Sequence, residues 1–342
     1  MSDEDALRDL VIGLVTSVDA DTSRDGCLPP VWDLLTGAGL TSIGVDEEHG
    51  GSGGSLGDLV TVVRALGSHG IGCPLIEVAT ARWILGPTGE GQPGELPFFA
   101  AASFDGDDGA IRVPRVPWAR HADSLVTFLG DRAVRIPIRD ASVSVENGSD
   151  VSGDASDTLI VTSAATVVTV DEAPNRDAVF ARHAVLQAAA LVGATRGAYE
   201  LTSEYVKTRE QFGGPLVSIP AVAANLALIR TQVLLAEAAL DNALAAFGAT
   251  DQATVAAADA AGAAAAAARI VAAQAGSEAA RLSHQLHGAM GVTKEYALRR
   301  LTTHLWAWRD AGVSQKAWSG LLGALGVEIG EPELWDRLTA AS

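Results

Sequence analysis

The chain has 342 residues and a mass of 35.1 kDa, which is enough to bury a large core in two or three structural units. It carries 24 Lys and Arg against 42 Asp and Glu, and this formal net charge of −18 argues against nonspecific binding to nucleic acid or anionic lipid. Because 48% of the residues are hydrophobic and 19% are charged, most of the chain is expected to fold. Its two cysteines, Cys27 and Cys73, provide neither a disulfide framework nor a Cys-based zinc cluster.

The N-terminus reads MSDEDALRDL and lacks the cationic segment and apolar run of a signal peptide. No uncharged stretch has the composition of a membrane span. The Ala-rich run near residue 265 comes closest, but Ala is too weakly apolar to require lipid. We therefore expect a soluble, cytoplasmic protein without a membrane span.

The first third of the chain predicts short helices separated by loops rich in Gly and Pro. Apolar residues from Leu59 to Leu66 share one helical face, and Ser55 precedes them as a candidate N-cap. Ser55 also lies in a G-x-S-x-G pattern at 53–57, so a hydrolase nucleophile is an alternative. That chemistry needs a strand directly before the serine, and the nearest candidate strand ends around Val45.

Short β-type runs between turn residues follow from about Pro97 to Thr169 and predict a small antiparallel β domain. Long helical segments follow, including a stretch at 251–280 in which 17 of 30 residues are Ala. We place the domain borders at 1–96, 97–177 and 178–342. A G-x-G-x-x-G match at 89–94 lies in a Pro-containing loop and lacks the strand and helix that this dinucleotide-binding pattern needs. The strands and helices of this chain are also segregated along the sequence, whereas a dinucleotide-binding fold alternates them.

Two segments of the C-terminal part carry residues suited to a phosphorylated ligand. At 209–216 the sequence is REQFGGPL, in which Arg209 can hold a phosphate and Phe212 can stack on a ring. The alternative is a helix C-cap in which Gly213 is the left-handed stop. At 285–293 the sequence is QLHGAMGVT, where a Gly-containing loop can cradle a diphosphate or simply end a helix.

The two segments together resemble the acyl-CoA dehydrogenase family. Residues 205–216 match its Tyr-x-x-x-Arg-x-Gln-Phe-Gly-x-Pro-Leu pattern, and residues 285–291 are similar to its Gln-x-x-Gly-Gly-x-Gly loop with Ala289 at the second Gly. Residues 293–296 resemble its Thr-x-Glu-Tyr, and residues 45–51 are similar to its Pro-Glu-Glu-Tyr-Gly-Gly turn. These matches arrive in the family's order.

The resemblance implies a mainly α fold with a small β domain: an N-terminal helical domain, a middle β barrel and a C-terminal four-helix bundle through which subunits pair. It implies FAD as cofactor, an acyl-CoA as substrate, α,β-dehydrogenation as reaction and an electron-transfer flavoprotein as acceptor. By family position, Arg209, Gln211 and Phe212 would contact the FAD of an adjoining subunit. Gln285 and the loop from Gly288 to Gly291 would complete that pocket.

The departures from the family pattern concern the flavin-side β motif and the base. The family's Thr-Glu-x-x-x-Gly-Ser-Asp is not found, and Ala311 stands where its usual Glu would be, beside Asp310. The stretch where some members carry the Glu reads Arg182-His183-Ala184, and Pro220 replaces the usual Gln of the following helix. The resemblance is therefore to a short, partial subunit of the actinobacterial heteromeric type that shortens steroid side chains.

The leading hypothesis is thus a heterotetramer in which a longer partner supplies the flavin-side β domain and the base. A self-sufficient enzyme using Asp310, or a flavin-free scaffold, is the alternative. A metal site at His284 and His287 lacks a third ligand at helpful spacing, so a packing or capping role is expected for them.

Overall fold

The computed structural model describes residues 2–18, 26–86, 95–101, 110–162, 164–249 and 255–339. Its α-helices are α1 (Asp3–Thr16), α2 (Val31–Gly37), α3 (Leu56–Ser68), α4 (Leu75–Leu85), α5 (Arg176–Thr208), α6 (Pro220–Ala249), α7 (Val255–His287), α8 (Ala297–Arg309), α9 (Gln315–Ile329) and α10 (Glu331–Thr339). Its strands are β1 (Pro97–Phe99), β2 (Ala110–Pro117), β3 (Ser124–Leu129), β4 (Arg132–Pro137), β5 (Val143–Glu146), β6 (Ser156–Thr162), β7 (Val168–Thr169), β8 (Glu210–Gln211) and β9 (Gly214–Pro215). The described chain is therefore mainly helical with a small β region in the middle, as the sequence predicts.

Ser55 caps the N-terminus of α3, as predicted. Its hydroxyl accepts a hydrogen bond from the backbone N–H of Asp58 at 3.2 Å, and the Asp58 carboxylate accepts one from the N–H of Ser55 at 2.7 Å. This reciprocal pair satisfies two backbone donors that the first turn of a helix leaves free. The hydroxyl also donates to Asp58 at 2.8 Å, so it is held as a cap.

The middle region forms two small sheets, one of four strands in the order β1-β3-β4-β7 and one of three in the order β2-β6-β5. The expectation of a purely antiparallel arrangement is wrong at one place, because β1 pairs in parallel with β3, with Phe98 opposite Leu125. Between them the chain passes through β2 in the other sheet. Such a crossover returns the chain in its original direction, which a tight hairpin cannot do.

The described elements fall into two compact units, and the first combines the N-terminal helices with both sheets. It contains 1–62, 72–183 and 311–313. Its main core cluster joins α4, the four-stranded sheet and the start of α5, through Ile84, Phe99, Val126 and Val179 among others. The predicted borders at residues 96 and 177 remain a prediction.

The second unit contains 63–71, 184–310 and 314–342. Here α6 packs along α7, and α7 also contacts α8, α9 and α10. The Ala-rich sequence explains this packing, because Ala residues such as Ala265 and Ala272 are fully buried and let neighbouring helices approach. Arg269 is fully buried as well and donates to the carbonyls of Trp308 and Arg309, both at 2.9 Å, at the end of α8.

Two helices, α5 and α6, are long and apolar enough to cross a membrane by length and composition, which the sequence analysis did not anticipate. In α5 89% of the apolar window is buried inside the protein, as in the core helix of a globular protein. In α6 the corresponding share is 22%. By themselves, one or two such helices are weak evidence for a membrane location.

Candidate functional site

Arg209 and Phe212 lie on a β-hairpin that directly follows α5. The helix ends at Thr208, and β8 and β9 pair with Gln211 opposite Gly214. Phe212 and Gly213 form the turn, with φ of 55° and 93°. The segment is thus a hairpin and its Gly213 is not a helix stop, so the C-cap interpretation is wrong. Two successive residues with positive φ are what a two-residue hairpin turn of the primed type requires.

The tip of this hairpin displays Phe212 to solvent. The Phe212 side chain is 91% exposed, and Arg209 and Gln211 are exposed as well. Among the described residues, the Arg209 guanidinium has no ion pair or hydrogen bond. A left-handed backbone is unfavourable for an aromatic residue, and residues held this way cluster at binding sites.

The second predicted segment follows the C-terminus of α7. That helix ends at His287, and Gly288 has a φ of 58°, which confirms the predicted Gly stop. Residues Gly288–Val292 form a short 3-10 helix. Gln285 and Gly288 are exposed, whereas Gly291 is buried. A Cβ at Gly291 would lie 3.0 Å from the His287 Cβ, so this position favours glycine.

Aromatic stacking joins the hairpin to the 285–291 loop. The Tyr205 ring, one turn before Arg209, stacks on the His287 ring with centroids 4.2 Å apart. A core cluster that includes Val206, Leu216, Leu282 and Leu286 supports both segments. The structure therefore brings together the two segments that the sequence analysis assigned to one pocket.

His287 is fixed in one tautomer by its two hydrogen bonds. Nδ1 lies 2.8 Å from the carbonyl oxygen of Ser283, so it carries the proton, and Nε2 accepts from the Tyr296 hydroxyl at 3.2 Å. Burial lowers the pKa of His287, which favours this neutral form, and burial raises the pKa of Tyr296. Sequence reasoning quoted Tyr205 and Tyr296 within the family pattern but gave them no role. Their role is to hold the loop and the hairpin in place.

His284 and His287 pack as the sequence analysis expected. His284 stacks on Trp306 with centroids 5.8 Å apart, and its Nε2 lies 2.9 Å from the Thr302 hydroxyl. Burial lowers the pKa of His284. No group of three or more His, Cys, Asp or Glu side chains suited to a metal ion occurs in the described part of the chain. The dinucleotide pattern at 89–94 lies outside the described residues.

Neither of the two stretches that correspond to the family's base, 310–311 and 182–184, presents a free carboxylate. Asp310 ends α8 in an exposed position and forms a two-pronged ion pair with Arg309, with both N···O distances 2.8 Å. Ala311 has no titratable group. At the alternative position Arg182 and His183 are buried, and burial lowers the pKa of Arg182 to about 10. Arg182 is therefore cationic at neutral pH and cannot accept a proton.

The hairpin and the loop fit part of a flavin dinucleotide. A guanidinium without a partner in the described residues is the donor that a diphosphate takes, and an exposed ring beside it can stack on an aromatic ligand. These groups face outward, so they suit a cofactor shared with another chain.

Three comparisons with known proteins agree with the fold. The family model of the acyl-CoA dehydrogenase C-terminal domain matches residues 177–309. Acyl-CoA dehydrogenase FadE28 of Mycobacterium tuberculosis is 28% identical over 337 residues, covering 87% of this chain and 91% of that protein.

Two solved structures have the same fold. One is a variant of the Tcur3481-Tcur3483 steroid ACAD, with a TM-score of 0.81 and 23% identity, covering 95% of this chain and 98% of that one. The other is the ChsE4-ChsE5 complex from M. tuberculosis, with a TM-score of 0.81 and 20% identity, covering 97% of this chain and 98% of that one. The match over residues 177–309, the curated relatives and the solved structures together support an acyl-CoA dehydrogenase family member.

Proposed function

We propose that this chain is one subunit of a heteromeric, FAD-dependent acyl-CoA dehydrogenase. It contributes Arg209, Gln211, Phe212 and the 285–291 loop to a flavin site that a longer partner completes. The observation that carries the proposal is the strained, exposed hairpin tip with a guanidinium that has no partner in the described residues. A diphosphate from another subunit's cofactor would satisfy that guanidinium.

The exposed face of α6 supports the need for a partner. Leu228, Leu234 and Leu235 are each about half exposed on a helix that is otherwise apolar. Apolar side chains repeated on one helix cost free energy in water and favour association. This agrees with a helical bundle through which subunits pair, and we propose a heterotetramer.

The residues present in this chain suggest which part of the reaction each subunit would perform. The flavin chemistry of the family is acceptance of a hydride from the β-carbon of an acyl thioester while a carboxylate removes the α-proton. In this chain Arg209 would orient the diphosphate, Phe212 would cover an aromatic part of the cofactor, and the base would come from the partner. An electron-transfer flavoprotein is the proposed acceptor.

The substrate class to test first is a steroid-derived acyl-CoA. One similar structure is named as a steroid ACAD and another as a two-component complex, which supports a heteromeric steroid enzyme as the model for this chain.

Purification of the chain alone and with a co-encoded relative tests the proposal. We expect FAD to co-purify with the pair, with acyl-CoA-dependent dye reduction by the pair. The isolated chain should hold little flavin, because it supplies only one side of the site. Stoichiometric FAD and dye reduction by the isolated chain would overturn the partner requirement. A pair that forms without flavin would indicate the scaffold alternative.

A further inference from the structure

Arg182 on α5 is buried although its charge has no visible partner. The residue is 7% exposed, and its Nε is buried without a hydrogen-bond partner among the described residues. The guanidinium lies over the ring of Trp83 on α4, 4.7 Å from the ring centroid. A cation that is removed from water loses roughly several kcal/mol of hydration free energy. An anion or several hydrogen-bond acceptors must take the place of the lost water to offset this cost. Contact with one ring face, worth about 2 kcal/mol, does not offset that loss.

A second arginine converges on the same turn, Thr41–Gly44. Arg82 of α4 donates from Nη1 to the Thr41 carbonyl at 2.7 Å and to the Ser42 hydroxyl at 3.0 Å. Nη2 of Arg182 lies 2.9 Å from the point that a Cβ of Gly44 would occupy. Two guanidinium groups therefore meet one short turn, and the described residues bring no carboxylate to either of them.

Three other partly buried arginines of this chain pair with its own acids. Arg120 pairs with the fully buried Asp157, with Nη2 2.6 Å from a carboxylate oxygen. Arg135 pairs with Glu95, and Arg196 pairs with Glu237. The fully buried Arg269 instead donates to two backbone carbonyls. Arg182 has neither an acid nor a carbonyl acceptor among the described residues, which points to an anion that the protein takes from solution.

We propose that Arg182 anchors a binding site for a small carboxylate anion between Trp83 and the Thr41–Gly44 turn. Since Trp83 covers a face of the guanidinium, its edge remains for the two parallel hydrogen bonds that a planar carboxylate accepts. A singly charged carboxylate also loses less hydration on burial than a phosphate dianion. Ser42, Gly44 and Trp83 are only half-buried, so the guanidinium lies one layer below the surface.

Gly44 keeps the edge of the guanidinium free. Its φ is 83°, a conformation that residues with a side chain rarely adopt, and any Cβ would lie 2.9 Å from Nη2 of Arg182. The site involves neither the hairpin nor the 285–291 loop, so its test is separate from that of the flavin contacts, although Arg182 lies in the stretch where some family members carry the base.

Thermal unfolding of the full chain in sodium acetate tests this proposal. Acetamide is the control ligand, since it has the same shape without charge, with sodium chloride added to equalise ionic strength. We expect Tm to rise saturably with acetate and to stay unchanged with acetamide, because only the anion binds the folded state. R182M should lose the acetate response, whereas R139M should keep it. Arg139 is an exposed arginine paired with Asp123.

R182K provides a second variant if R182M does not fold. It keeps the charge but not the two-pronged donor, so half-saturation should require at least about tenfold more acetate. An acetate response that persists unchanged in R182M or R182K would overturn the proposal. Equal responses to acetate and to the acetamide control would do the same, and a stronger response to inorganic phosphate would overturn the carboxylate assignment.

Discussion

Phe212 combines a left-handed backbone, which the two-residue hairpin turn requires, with a ring that is 91% exposed, and the isolated chain gives no reason for exposing an aromatic ring there. A hydrophobic ring in solvent and a φ of 55° both cost free energy, the latter on the order of 1–2 kcal/mol. Arg209, three residues earlier, is exposed as well. Such residues are explained when a ligand or a neighbouring subunit makes the contacts that this chain does not make.

At His287 the structure predicts a pH dependence of stability. Because burial lowers its folded-state pKa below the ordinary value of 6.5, the unfolded chain binds more protons than the folded chain at acidic pH. The stability is complete above pH 6.5 and is lost as pH falls through the folded pKa. We expect the free energy of unfolding, measured by urea denaturation from pH 8 to 5, to carry this fall at the acidic end, against the opposite contribution of Glu77, whose pKa burial raises to about 7.

His287→Gln should reduce this slope, with His284 supplying what remains, because its pKa is lowered as well. Tyr296→Phe is the matched control: it keeps the imidazole and removes the hydroxyl that donates to Nε2. It should lower stability by about 1 kcal/mol while leaving most of the slope. A His287→Gln variant with the wild-type slope would contradict this account of the cluster.

At the scale of elements, α3 and α5 approach so closely that glycine is required on α5. A Cβ at Gly193 would lie 2.2 Å from the backbone oxygen of Arg64, and one at Gly197 would lie 2.1 Å from that of Ser68. Gly193→Ala should therefore push the helices apart and lower the free energy of unfolding by about 2 kcal/mol. Chemical denaturation measures this change.

Gly262→Ala is the control, since Gly262 lies within α7 and nothing lies within 4 Å of its Cβ position. Ala is the better helix former, so this variant should be more stable by about 0.5–1 kcal/mol. Equal effects of the two substitutions would mean that helix propensity, and not the close approach, decides the outcome at Gly193.

The elements were predictable from the sequence where a local signal was strong. Short β-type runs located β3 and β4, the Ala-rich stretch predicted α7, and Ser55 predicted the start of α3. The hairpin after α5 was not predicted, because Gly213-Gly214-Pro215 is equally typical of a helix end. The parallel pairing of β1 with β3 was also missed, since pairing partners across an intervening strand leave no local pattern.

The candidate site was predictable only as far as the residues that contact a ligand. The resemblance picked out Arg209, Phe212 and the 285–291 loop, but the stacking of Tyr205 on His287 depends on the relative placement of α5 and α7. Arg182 could not be predicted as an unpartnered buried cation. Its burial arises from contacts with Trp83 and Gly44, which are about 100 or more residues away along the chain.

At the scale of the whole molecule, this chain has the acyl-CoA dehydrogenase fold, and the flavin site that we propose for it needs a second chain. A second chain can cover the outward-facing hairpin and the exposed leucines of α6. It can also supply the carboxylate that residues 182–184 and 311 lack. The net charge of −18 further makes an anionic cofactor dependent on local cations such as Arg209.

The most direct test of this account is the flavin content of the co-purified complex carrying Arg209→Ala. Removing one charge-assisted contact to the diphosphate should weaken FAD retention on the order of 10- to 100-fold, seen as a loss of flavin absorbance per complex after gel filtration. Lys207→Ala removes a neighbouring exposed cation at the end of the same helix and should leave flavin content unchanged. Full flavin content in the Arg209→Ala complex, or equal loss in both variants, would contradict the proposed contact.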